Sequence, residues 1–445
     1  MKLLLRSLVF IGLLLPLGAS ATTYFVTPAG SGTTCTAAAP CSLTTAAGKT
    51  NPGDIVQLAP GTYSGTFSIT RSGSAAGGKI TYRGHDGTGC PTTPLADKNS
   101  RGVRPAPTAV VTGGFSISAS FIRIECVKAI ANPIAFTNGT RSDIDLLDSY
   151  MDASTNPGHG KIFGAEGCDS SDETCFASNI FAARNYAFEP SLSFYLRCNN
   201  CTIQDNESER PINAGDGDHV QFFGNNLTFQ GNYFHGSVFA DAVNAHTDCF
   251  QSWNIGQLGE VARNITITRN TCMNIDECVL VRNLGSTSSH QNFTITNNLC
   301  AFSRIGGNIQ GDGELENVGG TNNVLHNTYI QMTQGFDNGT VANFKNNLLA
   351  NGAQLVVECN GACASVSQSN NLNLGSNLSS FVSAATSDFH LSSSASTAIN
   401  RGATGLGITI DHDGNPRDSL PDIGAFEFGS ANTPQSLTNV QVTVR

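Results

Sequence analysis

The chain has 445 residues, of which 13% are charged, with a net charge of −10, 47 glycines and 14 cysteines. An acidic balance disfavours binding to a nucleic-acid backbone, and regularly placed Val, Ile, Leu and Phe argue against the disorder that low charge and abundant Gly would otherwise suggest. The even cysteine count predicts disulfides and an oxidising compartment.

In chain order, Met1 to Arg6 carries positive charge, an apolar run extends to Leu17, and Gly18-Ala-Ser-Ala21 supplies small residues. This is the layout of a secretory signal peptide. No later stretch approaches the roughly 18 continuous apolar residues of a membrane span. The expectation is a secreted or periplasmic protein beginning near Thr22, without a transmembrane segment.

Thr23 to Val26 reads as a strand, and Leu43 to Ala47 as a short helical patch. Strands are expected at Asp54 to Leu58, Thr66 to Thr70 and Lys79 to Arg83. Shorter apolar segments follow at Ala109 to Thr112, Phe115 to Ile117, Phe121 to Ile124 and Ile144 to Leu146.

From Asn200 a repeat becomes clear. Three segments begin with an acid: Asp218-His-Val-Gln-Phe222, Asp248-Cys-Phe-Gln-Ser252 and Glu277-Cys-Val-Leu-Val281, with the acids 30 and 29 residues apart. Each is followed by a second phrase, Asn226 to Asn232, Asn264 to Asn270 and Asn292 to Asn298. Such periods mark a stacked-coil protein, in which Asp218, Asp248 and Glu277 form one column. The closing Asn recurs at Asn206, Asn232, Asn270, Asn298, Asn327 and Asn347. Asn suits left-handed turns, and stacked Asn side chains bond up a column. The sequons at Asn226, Asn264 and Asn292 fall inside the repeat phrase, so turn chemistry explains them better than glycosylation.

Cys35/Cys41, Cys168/Cys175, Cys198/Cys201 and Cys359/Cys363 are close in sequence, and Cys90 has a candidate partner in Cys126. Cys249 with Cys278, and Cys272 with Cys300, occupy equivalent places in successive repeats; at a strand spacing of about 4.8 Å either pair is able to bridge neighbouring coils. The Cys198-x-x-Cys201 spacing lacks the second cluster of a zinc finger.

The phrases Tyr24-Phe-Val-Thr-Pro-Ala-Gly30, Asn51-Pro-Gly-Asp-Ile-Val56, Pro60-Gly-Thr-Tyr63 and Ile80-Thr-Tyr-Arg83 resemble the opening of extracellular right-handed parallel β-helix proteins of the pectate-lyase type. The resemblance implies an all-β solenoid: an N-terminal cap and first coils over 22–105, a β-helix over 106–380, a closing segment over 381–429 and a polar tail over 430–445. A terminal coil needs a cap, because a bare one exposes unpaired backbone. In the tail, Asp411 to Arg417 reads as a turn with Asp–Arg pairing.

A long flat sheet flanked by loops suits an extended polymer, so polysaccharide is the expected partner of a monomeric protein. His246-Thr-Asp248 and Asp276-Glu277 resemble the acidic segments of polygalacturonase-type hydrolases, which implies inverting hydrolysis by Asp248, Asp276 and Glu277. His246 stands where that pattern has Asn, and Arg304-Ile-Gly-Gly-Asn308 where it has Gly-His-Gly.

A lyase reading uses other groups. β-Elimination from a uronate needs a cation to neutralise the carboxylate and a base to take the adjacent proton. Arg282 is a candidate cation; alternatively Asp218, Asp241 and Asp248 hold calcium, which takes oxygen ligands. His246 or His219 is the candidate base. Gln251, Trp253 and Arg304 are candidate substrate contacts, Trp253 by stacking on a sugar ring. Lyase is placed first, inverting hydrolase and uronate epimerase after it. A non-catalytic glycan-binding protein with a structural acid column is the reading from another class.

Overall fold

The computed structural model describes residues 21–90, 105–166, 173–212, 217–237, 247–256, 259–284, 290–302, 313–332, 336–337, 341–352 and 366–429. The candidates Asp241, His246 and Arg304, and the cysteines 168, 359 and 363, lie outside them.

The chain winds as a right-handed parallel β-helix, and each coil contributes a strand to three faces in turn. One well-defined coil runs Asp248–Asn254 on face 1, Ala262–Thr268 on face 2 and Thr271–Ile275 on face 3. The next runs Glu277–Asn283, Gln291–Thr296 and Leu299–Phe302. Strands of one face pair in parallel with those of the coils before and after.

Side chains alternate across a strand, so an inward position in one coil lies over an inward position in the next. On face 2 this gives a continuous column: Val56, Tyr82, Ile124, Leu146, Ala182, Ile203, Phe229, Ile267, Ile295, Val324 and Phe344. The core is this column together with its counterparts on the other faces.

The corner between faces 2 and 3 is held by Asn. Asn232 donates from its backbone N and from Nδ2 to Asn270 Oδ1, at 3.0 and 2.9 Å, and also from Nδ2 to Ile203 O at 2.9 Å. The pattern recurs from Asn185 through Asn206, Asn298, Asn327 and Asn347 to Asn371. A second, exposed ladder joins Asn200, Asn226, Asn264 and Asn292 through Nδ2–Oδ1 bonds of 2.9–3.1 Å. All four have positive φ, from 56° to 62°, so the sequon positions are left-handed turn residues, as the repeat suggested.

The helix Leu43–Ala47 forms where expected, with Ser42 Oγ accepting from Thr45 N at its start; its buried Leu43 and Ala46 join the core beside the first strands. The C-terminal segment from Phe381 to Phe426 lies against the outward side of face 3, covering Met273, Leu299, Ala301, Ile330, Leu348 and Ala350. It therefore closes one flank of the helix. Arg417 pairs with Glu427 at 2.8 Å and with Asn297 Oδ1 at 2.8 Å, rather than with Asp411. Asp411 instead accepts from the backbone N of Asp413, Asn415 and Glu427.

Disulfides join Cys35–Cys41, Cys90–Cys126 and Cys198–Cys201, as the spacing suggested. The two remaining described bonds differ from the inter-coil expectation: they are Cys249–Cys272 and Cys278–Cys300, each inside one coil. Cys272 and Cys300 are register neighbours, so their Cβ vectors run parallel. Inward residues from two faces of one coil converge, and convergence is what a disulfide requires.

Candidate active-site face

The acid column forms. Asp248 pairs in register with Glu277, and Asp248 N donates to Asp218 Oδ1 at 2.8 Å. Asp218, Asp248 and Glu277 are all buried; Asp248 and Glu277 open their face 1 strands, and Asp218 lies two residues before the strand that begins at Val220. A parallel Gln column supports it: Gln221 Nε2 donates to Asp218 Oδ2 at 2.9 Å and to Gln251 Oε1 at 3.0 Å, and Gln251 Nε2 donates to Asp248 Oδ2 at 3.0 Å. Asp276 Oδ2 accepts from Thr247 N at 3.0 Å.

These contacts bear on calcium. Both oxygens of Asp218, and Oδ2 of Asp248, face N–H donors. An oxygen that accepts one amide proton keeps a second acceptor direction, so these bonds orient the carboxylates and serve the register of the coils, and calcium at Asp218, Asp241 and Asp248 stays a proposal.

His219 takes an interior position. Its ring stacks on Phe234 with centroids 5.1 Å apart, and Nδ1 lies 3.0 Å from Ser208 Oγ. Burial, with a smaller contribution from His235, holds its pKa well below the ordinary value, so the imidazole is neutral. With no exposed atom it does not meet a polymer, and the base role expected for it is withdrawn on that ground.

The far end of face 1 is different in kind. Trp253 and Arg282 are register neighbours on adjacent coils, with Glu316 next after Arg282, and both are partly exposed. Trp253 stands edge-on to Phe223 at 4.9 Å. The Arg197 guanidinium lies 4.6 Å from the Phe223 ring centroid and donates to Gly259 O at 3.0 Å; Lys161 lies 5.8 Å from the ring of partly exposed Tyr195. Phe176 and Val261 pack beneath this aromatic group, and the Arg263–Glu173 ion pair at 2.9 Å fastens the segment that carries Phe176. Just beyond the strand ends, Ile255 and Leu284 are 61% and 58% exposed and flank Trp253 with apolar surface.

The sequence places Asp248 with Trp253, and Glu277 with Arg282, five residues apart, but at about 3.3 Å per residue an extended strand sets them roughly 16 Å apart. The structure thus brings Asp218, Asp248 and Glu277 together at one corner and Arg197, Phe223, Trp253 and Arg282 toward the other, with Tyr195, Gln221 and Gln251 as register neighbours in a column between them. One sugar ring does not span both. The same distance separates Arg282 from Glu277, so its in-register acid is Glu316.

A second polar cluster escaped the sequence reading. Glu207, Glu209 and His235 meet on the outward side of face 3, with His235 Nε2 3.0 Å from Glu207 Oε1. A signal was present. Counted from the ladder residues Asn206 and Asn232, Glu209 and His235 both fall three positions on, which puts them in register.

No protein-family model matches the chain, and no curated protein does. Solved structures similar to it include the pectate lyase Pel9A, at 16% identity over 92% of this chain and 97% of that one, with a TM-score of 0.49. A rhamnogalacturonan lyase aligns at 13% identity over 84% and 97%, with a TM-score of 0.47. A GH136 lacto-N-biosidase from Eubacterium ramulus aligns at 11% identity over 79% and 67%, with a TM-score of 0.44. Likeness at this level carries no argument about activity; the fold assignment stands on the strand register.

Proposed function

We propose that the chain is a secreted carbohydrate-active enzyme that cleaves an acidic, uronate-containing polysaccharide by β-elimination, with the polymer lying on the outward side of face 1. The observation that carries the reading is the pairing of Trp253 with Arg282. In a chain of net charge −10, face 1 gathers Lys161, Arg197 and Arg282 around Tyr195, Phe223 and Trp253. A planar aromatic beside a guanidinium matches a sugar ring carrying a carboxylate.

In elimination a base takes the proton on the carbon next to the carboxyl group, the electron pair forms a C=C bond, and the glycosidic C–O bond on the far carbon breaks, its electrons leaving with the oxygen, which takes a proton from water to become a hydroxyl. Arg282 would hold the carboxylate and stabilise the charge that builds on it as the proton leaves. His246 remains the proposed base.

Inverting hydrolysis by Asp248, Asp276 and Glu277 is less well supported. It needs two carboxyls about 6.5–9.5 Å apart with a water between them, whereas Asp248 and Glu277 are register neighbours on adjacent strands and Asp276 accepts from Thr247 N. A screen of uronate polymers followed by ultraviolet absorbance tests the proposal. An unsaturated product absorbs. Cleavage with new reducing ends but no absorbance means hydrolysis, altered uronate configuration without cleavage means epimerisation, and binding without turnover means a glycan-binding protein; each outcome overturns the lyase reading.

A further inference from the structure

The outward side of face 3 is apolar beneath the C-terminal segment, but one step along the helix it changes character. On the strand Glu207–Glu209 both acids point outward and flank the inward Ser208, while the register lays Tyr233 and His235 beside them on the next coil. All three of Glu207, Glu209 and His235 are buried, at 1%, 2% and 9% exposure. One ligand-type atom from each, two carboxylate oxygens and an imidazole nitrogen, lies within 4.8 Å of the other two.

We infer that Glu207, Glu209 and His235 form a binding site for a first-row divalent cation of the zinc or manganese class. A dication balances both carboxylates, and neutral imidazole supplies a lone pair without adding charge. Two ligands each about 2.1 Å from one ion sit ~3.0 Å apart at the right angle of octahedral coordination and ~3.4 Å apart at the tetrahedral angle of zinc, and His235 Nε2, 3.0 Å from Glu207 Oε1, is within a few tenths of an ångström of both.

Mixed imidazole and carboxylate ligation selects these metals over calcium, which prefers oxygen alone. Outer contacts orient the ligands, as metal sites require. Tyr186 OH donates to Glu209 Oε2 at 2.7 Å, and the Tyr233 ring stacks on His235 at 4.1 Å between centroids. Because the acids and the imidazole belong to successive coils, the ion fastens one coil to the next at the edge of the C-terminal segment.

The test uses the full exported chain, purified without a polyhistidine tag, stripped with chelator and titrated separately with Zn²⁺, Mn²⁺ and Ca²⁺ by calorimetry and thermal melting. One equivalent of Zn²⁺ or Mn²⁺ should bind with micromolar or tighter Kd and raise Tm reversibly. Glu209→Gln, which preserves shape and an acceptor for Tyr186, should weaken binding at least tenfold, as should His235→Gln. No binding by the stripped protein, unchanged binding in either variant, or a stronger response to Ca²⁺ overturns the inference; the cluster is then a Glu207–His235 ion pair. If the variants fail to fold, anomalous scattering at the zinc or manganese edge from crystals of the unaltered protein decides: a peak among the three side chains supports the site, and its absence refutes it.

Discussion

Asn270→Ala is the sharpest test of what holds the coils in register. Asn270 is fully buried. Its Oδ1 accepts from Asn232 N and Asn232 Nδ2, and its own Nδ2 donates to Phe229 O and Asn298 Oδ1, at 3.0, 2.9, 3.0 and 3.0 Å. Alanine deletes all four bonds and strands the Asn232 amide and the Phe229 carbonyl away from water. A net ~1 kcal/mol per bond, with a further cost for stranded buried groups, gives a loss of about 3–5 kcal/mol. Asn371→Ala is the control. That residue makes three bonds, to Asn347 N, Asn347 Nδ2 and Phe344 O, but is partly exposed, so water replaces them and the loss should be ~1 kcal/mol. Denaturant unfolding measures both, and hydrogen exchange at the Asn232 amide locates the damage. If Asn270→Ala costs no more than Asn371→Ala, or leaves the Asn232 amide protected, the ladder does not hold the register.

Arg282→Ala and Trp253→Ala should each lower elimination at least tenfold while the protein stays folded, with Trp253→Ala also lowering Tm because its ring packs on Phe223; retained absorbance growth would remove them from the site. Activity of the parent enzyme should survive calcium chelation, since in the proposed reaction Arg282 neutralises the substrate carboxylate; loss restored by Ca²⁺ alone would assign that role to a calcium ion instead. Replacing Cys278 and Cys300 together by Ser releases a span of 22 residues and should cost about 3 kcal/mol, read by denaturant unfolding with and without reductant.

Stability of the C-terminal segment should also depend on pH. His390 sits between Asp388 Oδ1 at 2.6 Å and Asp413 Oδ2 at 2.7 Å. Burial lowers its pKa, but the two carboxylates outweigh burial and the net shift is upward. Its contribution is complete below the unfolded value near 6.5 and is lost as pH rises through the higher folded value. Burial also pushes Asp413 upward, yet His390, with His412 and Arg269, brings it below its ordinary value; that contribution disappears as pH falls through the depressed value. Protection factors across 381–413, with the base-catalysed intrinsic exchange rate divided out, should therefore be high between about pH 4 and 6.5 and lower at pH 8–9. His390→Gln should remove the dependence. His290 and His326 act in the opposite sense: burial lowers them to about 4 and about 3, so below pH 6.5 the unfolded chain takes up protons that the folded chain refuses, and acid weakens the coils themselves.

The fold was legible because two local signals coincide. The Asn that closes each repeat is both a turn residue and a rung of the ladder, so its recurrence announces the coil. The acid that opens each face 1 strand was found for the same reason. What the linear pattern conceals is distance: Asp248 and Trp253 read as one cluster because five residues look short, while an extended strand makes them opposite edges of a sheet. Disulfide partners were misjudged by the same route. Equivalent places in successive repeats point in parallel, and bonds form where directions converge. Glu207, Glu209 and His235 stayed hidden because two acids in an exposed-looking strand resemble solvent-facing charge until the neighbouring coil is laid beside them.

The within-coil bonds Cys249–Cys272 and Cys278–Cys300 have a consequence for how such a chain grows. A cross-link between two coils ties their fates, since losing either leaves an orphan thiol. A cross-link contained in one turn travels with it. Duplicating or deleting one whole turn counted from the start of its face 1 strand, such as Asp248 to Asp276, carries both partners of its bond together, so the β-helix can change length by such a turn without a period of unpaired chemistry.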